Sequence, residues 1–232
     1  MGVKVSSAKS LISQFAILTA LVLWMLPALA QTVAIQHTVE ADGHPMALWE
    51  KSVAQPKGHI LLHHGRTWSS IPDFDLQVSG EDLSLMDGFN DRGYSVWALD
   101  ARGYGETPRD SSGWNTPDRA AQDLSIVLDW LRARNGETTH VWGWSYGSMV
   151  AQLTAQRYPQ AVASVTLFGY PTDPDAQIPQ SNSQSEPSAR PTTRAAAASD
   201  FIVPGSISQH AIDTYVAAAL KADPIRADWN QL

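Results

Sequence analysis

Short apolar runs alternate with longer amphipathic stretches along most of this chain, and the alternation predicts strands and helices in turn. Two stretches, residues 32–40 and 46–53, flank an Asp42-Gly43 turn, and the first alternates apolar with polar residues, which is typical of a hairpin. Four further runs are short and apolar and are bounded by turn residues, as expected of buried strands: 59–63, 94–99, 139–142 and 163–168.

Helical spacing of apolar residues appears between these runs. Residues 81–92, 117–134 and 149–155 are each predicted to form a helix. The pattern is clearest at 117–134, which ends at Asn135-Gly136. Buried strands that alternate with helices indicate an α/β protein whose mostly parallel sheet is flanked by helices.

The character of the chain changes after residue 170. Residues 173–198 are rich in Pro, Ser, Gln, Thr and Ala, which indicates a loop or loosely ordered linker. Residues 210–222 are predicted to form one more helix. We therefore divide the chain into a core at 31–171 and a cap or linker region at 172–232, an incomplete cap that follows the sixth strand.

Composition and charge narrow the function. With 232 residues, 44% of them hydrophobic, the chain suits one globular domain. The net charge is −7 and basic residues are not clustered, which argues against a nucleic-acid partner. The sequence contains no cysteine, which excludes disulfides, thiolate catalysis and cysteine metal sites.

The N-terminus has the pattern of a signal peptide. Lys4 and Lys9 precede an apolar stretch at 11–26, and Pro27 is followed by an A-x-A motif at 28–30. We expect residues 1–30 to be removed and the protein to be exported, to a periplasm or the medium, with no stable membrane association afterwards. The alternative is an uncleaved anchor, because the apolar stretch is nearly long enough to span a bilayer.

The sequence GWSYG at residues 143–147 is the main indication of chemistry. This G-x-S-x-G pentapeptide lies between a predicted strand and a predicted helix, where a serine on a sharp turn forms the nucleophile elbow of serine hydrolases. Glycines are needed there because a side chain at either position would collide with neighbouring backbone. Ser145 is accordingly the predicted nucleophile.

Two more motifs follow predicted strands: HHGRTWS at 63–69 and DARGYGET at 100–107. Together with GWSYG, and in this order, they resemble the α/β-hydrolase family over residues 32–170. The resemblance implies that the backbone N–H groups of Arg66 and Tyr146 form an oxyanion hole. His64, Asp100 and Arg102 are predicted to hold the loops in place, and a metal site at His63 and His64 is not expected.

The resemblance also implies an acid and then a histidine after the serine. Downstream of Ser145 the sequence contains one histidine, His210. One interpretation is that the acid and the base lie beyond Leu232. The other is a compact enzyme in which Asp173 is the acid and His210 the base, preceded by a short strand at 201–203.

A serine hydrolase that cleaves a carboxylic ester or related acyl bond of a small molecule, without cofactor or metal, is the expected function. The serine argues against the family's epoxide hydrolases and haloalkane dehalogenases, which the resemblance associates with aspartate. An inactive or truncated relative without a complete triad stays open, and so does a cofactor-free haloperoxidase or lyase. The sequence does not determine the substrate or the oligomeric state.

Overall fold

A computed structural model of the protein describes Gly2 and residues 33–112, 115–170 and 189–227. From Val33 onward the chain forms one compact unit. The predicted signal peptide lies outside the described residues apart from Gly2, so its cleavage and the export of the protein stay predictions. No helix within the described ranges is long and apolar enough to cross a bilayer.

A six-stranded sheet forms the centre of this unit. Its strands are β1 (Ile35–Ala41), β2 (His44–Lys51), β3 (His59–His63), β4 (Ser95–Leu99), β5 (Thr139–Trp144) and β6 (Val162–Phe168). Their order across the sheet is β1-β2-β4-β3-β5-β6. The first two strands pair antiparallel with their neighbours, whereas β4, β3, β5 and β6 are mutually parallel. The predicted α/β fold with a mostly parallel sheet is confirmed.

Helices cover both faces of the sheet. On one face, α3 (Pro117–Asn135) and α4 (Tyr146–Arg157) pack against each other and against the larger apolar cluster of the core. On the other, α1 (Ser70–Phe74) and α2 (Leu85–Asn90) contribute Phe74 and Met86 to a second cluster. Because helices cover both faces of the sheet, all five residues of β3 and of β4 are buried, and the stretches 60–62 and 96–99 are entirely apolar.

The region after β6 contributes a small structure of its own. Strands β7 (Ala189–Pro191) and β8 (Ile225–Ala227) pair antiparallel, and α5 (Arg194–Ala198) and α6 (Gln209–Ala222) lie between them in the sequence. A third apolar cluster joins Ala211, Tyr215 and Ala219 of α6 to Trp68 and Val78 of the segment after β3. This packing places α6 beside the loop that follows β3.

Three predicted stretches differ from the structure. Residues 173–198 were expected to form a loop or linker, but their described part contains β7 and α5. The helix expected at 81–92 is confined to α2, because the Ser84 hydroxyl accepts a hydrogen bond from the N–H of Asp87 (3.0 Å) and so caps the helix there. Residues 201–203, expected as a strand in the compact-enzyme interpretation, adopt no strand, and Ile202 and Val203 are exposed.

Candidate active site

Three loops meet at one edge of the sheet because the strands before them are neighbours. Strand β3 lies between β4 and β5, and its last residue, His63, pairs in register with Leu99 of β4 and with Gly143 of β5. The three strands are parallel, so the chain leaves all of them at the same edge. The 63–69 loop, the 100–107 loop and the turn at Ser145 are thereby brought together, and each follows a strand as predicted.

Ser145 has a backbone conformation that L-residues rarely adopt. It joins β5 to α4 with φ 53° and ψ −115°, and it is one of three non-glycine residues with positive φ within the described ranges. Such a conformation costs on the order of 1–3 kcal/mol and persists only where the surroundings enforce it. The strained strand-to-helix turn expected from the GWSYG motif is therefore present.

The two glycines of the motif are required by close backbone contacts. A β-carbon on Gly143 would lie 2.4 Å from the carbonyl oxygen of Gly147, and one on Gly147 would lie 2.2 Å from the carbonyl oxygen of His63. Both distances are far below any real contact, and the obstacle in each case is backbone, which cannot move aside cheaply. The predicted steric role of these glycines is confirmed.

Hydrogen bonds that involve Phe168 and Ser148 fix the turn further. The N–H of Ser145 donates to the carbonyl oxygen of Phe168 at 2.8 Å, which extends the β5–β6 pairing into the turn. The buried Ser148 hydroxyl donates to the Gly143 carbonyl oxygen at 2.7 Å and accepts from the N–H of Phe168 at 3.0 Å. Together these bonds stabilise the conformation in which Ser145 stands half-buried at the edge of the sheet.

Gly65 and Arg66 of the 63–69 loop lie against the serine. A β-carbon on Gly65 would be 3.6 Å from the β-carbon of Ser145, so the loop backbone passes within contact distance of that side chain. The Arg66 side chain is exposed, and the Arg66 carbonyl oxygen accepts a hydrogen bond from the Tyr104 hydroxyl. Tyr146 is the first residue of α4, where a backbone N–H has no acceptor within the helix. Tyr146 directly follows Ser145 in the chain, and Arg66 follows the glycine whose backbone contacts Ser145, so the oxyanion-hole role of both residues stays a prediction.

His64 is a structural residue of the 63–69 loop. Its Nε2 accepts from the N–H of Ala101 at 3.0 Å, so its Nδ1 carries the proton and donates to the Gly65 carbonyl oxygen at 2.7 Å. Burial lowers the pKa of His64 to about 3, and burial also lowers the pKa of His63 to about 4. Both rings are therefore neutral, and the prediction that His64 holds the loop by hydrogen bonds is confirmed.

Arg102 has the predicted structural role as well. Its guanidinium donates two hydrogen bonds to the carboxylate of Asp123 on α3, at 2.6 and 2.7 Å, and a third to the Ala41 carbonyl oxygen at 3.1 Å. The bond to Asp123 raises the pKa of Arg102, so the charge is retained in this buried position. The arginine ties the 100–107 loop to α3 and to the end of β1.

Two buried carboxylates connect the 63–69 and 100–107 loops. Asp100 accepts from the N–H groups of Ser70 (2.9 Å) and Glu106 (3.2 Å), and Asp223 accepts from those of Ser69 (2.8 Å) and Gly105 (2.8 Å). Burial raises the pKa of Asp100 to about 6 and also raises the pKa of Asp223, although the donated bonds oppose the shift in both. The role of Asp223 was not predicted from the sequence, because an aspartate before a proline indicates only the end of a helix.

The predicted acid and base are not brought to Ser145 in what the structure describes. Asp173 lies outside the described residues. His210 is exposed in the first turn of α6, and its carbonyl oxygen accepts a bond from the Thr214 hydroxyl at 2.8 Å, an ordinary contact within a helix. Within the described ranges, neither an imidazole nor a carboxylate is hydrogen-bonded to the Ser145 hydroxyl. The roles of Asp173 and His210 stay predictions.

Metal ligands do not cluster in this part of the molecule. Among the residues that the structure describes, no group of three or more His, Asp or Glu side chains could hold an ion.

The chain is similar to several hydrolases. It is 29% identical to the lysophosphatidylserine lipase ABHD12 of Macaca fascicularis over 157 residues, which cover 65% of this chain and 34% of the relative. It is 27% identical to the human serine hydrolase BPHL over 128 residues, which cover 51% of this chain and 39% of that protein. The chain therefore spans only about a third of the length of the lipase and two fifths of BPHL.

Solved structures of hydrolases align with about three fifths of the chain. Epoxide hydrolase A from Mycobacterium thermoresistibile aligns with a TM-score of 0.47 at 26% identity and covers 58% of this chain and 39% of its own. A CIB-like hydrolase from Thermoplasma acidophilum aligns with a TM-score of 0.48 at 18% identity and covers 60% of this chain and 63% of its own.

The family match includes all three loops at the candidate site. Residues 58–205 match the family described as alpha/beta hydrolase fold, which is well over half of the chain. Those residues extend from β3 through β6 and contain the turn at Ser145. With this sheet order and this strand-to-helix turn, the chain belongs to the α/β-hydrolase fold family.

Proposed function

We propose that this protein is a serine hydrolase that cleaves a carboxylic ester, or a related acyl bond of a small molecule, through an acyl-enzyme on Ser145. The observation that carries the proposal is the conformation of Ser145, with φ 53° on the turn between β5 and α4. A strained serine at the carboxyl end of a parallel strand is difficult to explain by stability alone, because a glycine would relieve the strain.

The reaction follows from the groups around that turn. The Ser145 hydroxyl oxygen would attack the carbonyl carbon of the ester and pass its proton to a base, and the carbonyl oxygen would become negative. The N–H groups of Tyr146 and Arg66 would stabilise that oxygen. Collapse of the intermediate would expel the alcohol and leave Ser145 acylated, and water would then release the acid. The N-terminus of α4 favours the negative charge as well.

The named relatives support hydrolysis as the reaction class. One is a lysophosphatidylserine lipase and another a serine hydrolase, and the family match includes the turn at Ser145. An acyl ester is the substrate class that agrees with both names. Carboxylesterase activity is the specific form that we propose.

A second candidate, a member of the fold that lacks a working base, is favoured by one observation. Within the described residues the Ser145 hydroxyl has no imidazole partner, whereas an activated serine needs one or an equivalent base. For the serine-hydrolase candidate, Asp173 and His210 are the residues of this chain that we propose to test as acid and base.

Labelling with a fluorophosphonate distinguishes the two candidates. We expect the probe to label the full 232-residue chain and to fail on S145A. Ser164 provides a matched control, because it is an exposed serine whose hydroxyl lies 2.8 Å from His140 Nδ1. S164A should be labelled as the wild type is. Absence of labelling on folded wild-type protein would favour the inactive candidate, and labelling that disappears in S164A would place the reactive serine elsewhere.

A further inference from the structure

We infer that Asp223 is a positioning residue for the 63–69 loop and thereby holds the Arg66 backbone in place for the reaction proposed above, on which this inference rests. The side chain lies 154 positions along the chain from Ser69 yet accepts the N–H of that residue at 2.8 Å. It is 3% exposed. The C-terminal region would then be part of the machinery that shapes the site, rather than a passive cover over it.

The geometry is that of a two-carboxylate clamp. Four backbone N–H groups are the donors. Those of Ser69 and Ser70 lie where the 63–69 loop joins α1, and those of Gly105 and Glu106 lie in the 100–107 loop. Asp223 accepts from the first donor of each pair, and Asp100 accepts from the second. Because each carboxylate spans both loops, the loops are fixed relative to each other at two adjacent points.

The crowding at Gly105 shows how closely the clamp is fitted. A β-carbon there would lie 2.3 Å from the Asp100 Oδ2 atom and 3.0 Å from the β-carbon of Ser69, and Gly105 has φ +51°. The two loops are therefore in contact across the clamp. A shift at Ser69 is expected to propagate directly into the 100–107 loop.

Asp223 occupies a position that is unfavourable for a carboxylate. It follows the last residue of α6, where the helix dipole disfavours negative charge, and it is buried near the carboxyl groups of Asp73 and Asp100. An apolar residue would avoid that cost, and the two hydrogen bonds from the loops are what the carboxylate gains there.

The consequence for the reaction lies in the middle of the 63–69 loop. His64 ties the first half of the loop to Ala101, and the Arg66 carbonyl oxygen accepts from Tyr104. In the second half, Trp68 Nε1 donates to Asp200 at 2.7 Å and Ser69 donates to Asp223. Without Asp223 the second half would be held less firmly, and the backbone of Arg66, which follows the glycine in contact with Ser145, would be less well fixed beside the serine.

The test compares D223N with D213N in the full chain. The asparagine of D223N would keep the shape of the side chain but present an NH2 group to one of the two loop donors. D213N is the control, because Asp213 is exposed on α6. We expect D223N to speed amide hydrogen exchange by about tenfold or more in peptides covering 64–70 and 102–107. D213N should leave both peptides unchanged. D223E, which retains two acceptor oxygens, should restore part of the protection.

Kinetics separate positioning from general stability. A misdirected oxyanion donor should lower kcat for an activated ester by roughly 10²-fold while KM changes by no more than about twofold, because ground-state binding does not use the donor. Unchanged exchange in folded D223N, or an unchanged kcat, would overturn the inference. If wild-type protein hydrolyses no ester and takes no fluorophosphonate, the proposed function fails by itself, and the exchange experiment still decides whether Asp223 fixes the loop.

If D223N does not fold, hydrogen exchange in the wild-type protein provides the test instead. The N–H groups of Ser69 and Gly105 should then exchange in the wild type no faster than the amides at the end of α6, since both bond to the residue that ends this helix. Faster exchange at either N–H would show that the bond to Asp223 does not hold the loop.

Discussion

Gly147 lies so close to His63 that a β-carbon on it would stand 2.2 Å from the His63 carbonyl oxygen. The contact joins the start of α4 to the end of β3, and with it the candidate nucleophile to the 63–69 loop. Nothing but hydrogen fits between them. The close approach of Ser145 to the 63–69 loop therefore depends on the absence of a side chain at Gly147.

Replacement of Gly147 by alanine should consequently disrupt the fold. We expect G147A to lose about 3 kcal/mol or more in the free energy of unfolding, because the obstacle is backbone. Gly88 provides a control, since an added β-carbon there would meet only the end of the Arg92 side chain at 3.8 Å. G88A, in α2, should be neutral or slightly stabilising. Urea unfolding of both variants measures the difference, and equal stabilities would refute the contact.

Strain at Ser145 should be measurable apart from chemistry. The residue has φ 53° and ψ −115°, which glycine tolerates and alanine does not. S145G should therefore be more stable than S145A by about 1 kcal/mol, net of the extra chain entropy of glycine in the unfolded state. Both variants should lose fluorophosphonate labelling. Equal unfolding midpoints for the two would mean that the turn is not strained.

The sheet and the turn could be predicted because their signals are local. The runs before His63, Leu99 and Trp144 are short and apolar, and a buried parallel strand leaves little freedom in composition. The glycines of GWSYG reveal a close approach of backbone whatever the partner is. Local patterns of this kind can be interpreted without knowledge of the rest of the fold.

The features that were missed depend on distant partners. Helix α1 has five residues, too few for a periodic pattern, and is held by the bond from the Ser70 N–H to Asp100 and by burial of Phe74. Asp223 is separated from Gly105 by 118 positions, so its role appears only when the chain is folded. Single aspartates carry no sequence signal that would distinguish such a bridge from a helix end.

Neutral His64 makes stability fall in acid. Its folded pKa of about 3 lies below the ordinary value of 6.5, so between these pH values the unfolded chain binds a proton that the folded protein excludes. Its contribution is complete above pH 6.5 and is lost as the pH falls, at up to about 1.4 kcal/mol per pH unit. His63, with a pKa of about 4, acts in the same direction.

Comparison with H64Q isolates this effect, because glutamine does not titrate. H64Q should be less stable than the wild type at about pH 7 and should approach it as the pH is lowered from about 6.5 to about 4.5. Asp100, whose pKa is raised to about 6, opposes the trend in both proteins and cancels in the comparison. Urea unfolding across this pH range measures the gap, and a constant gap would contradict a neutral, buried His64.

Asp73 should give the opposite dependence on pH. The residue is half-buried with its Oδ2 atom shielded from solvent, its Oδ1 accepts from the Tyr215 hydroxyl at 3.1 Å, and its neighbours include the carboxyl groups of Asp223, Asp200 and Asp100. Burial, reinforced by those carboxyls, raises its pKa well above 3.8. The folded protein then holds a proton that the unfolded chain releases, so stability is lost as the pH rises from 3.8 towards the folded pKa.

Substitution of Asp73 by asparagine removes that titration while retaining an oxygen for the Tyr215 hydroxyl. D73N should therefore gain stability relative to the wild type as the pH is raised from about 5 to about 8, because the wild type alone must ionise this carboxyl or keep its proton at increasing cost. D213N, which removes an exposed carboxylate from α6, is the control for the loss of an acidic side chain on this helix. Because Asp73 contacts α6 through Tyr215, hydrogen exchange in α6 should also be slower in D73N than in the wild type at about pH 8. Parallel stability curves for D73N and the wild type would contradict the raised pKa, because they would show that Asp73 is ionised in the folded protein. The packing of α6 against the 63–69 loop would then have to tolerate this charge.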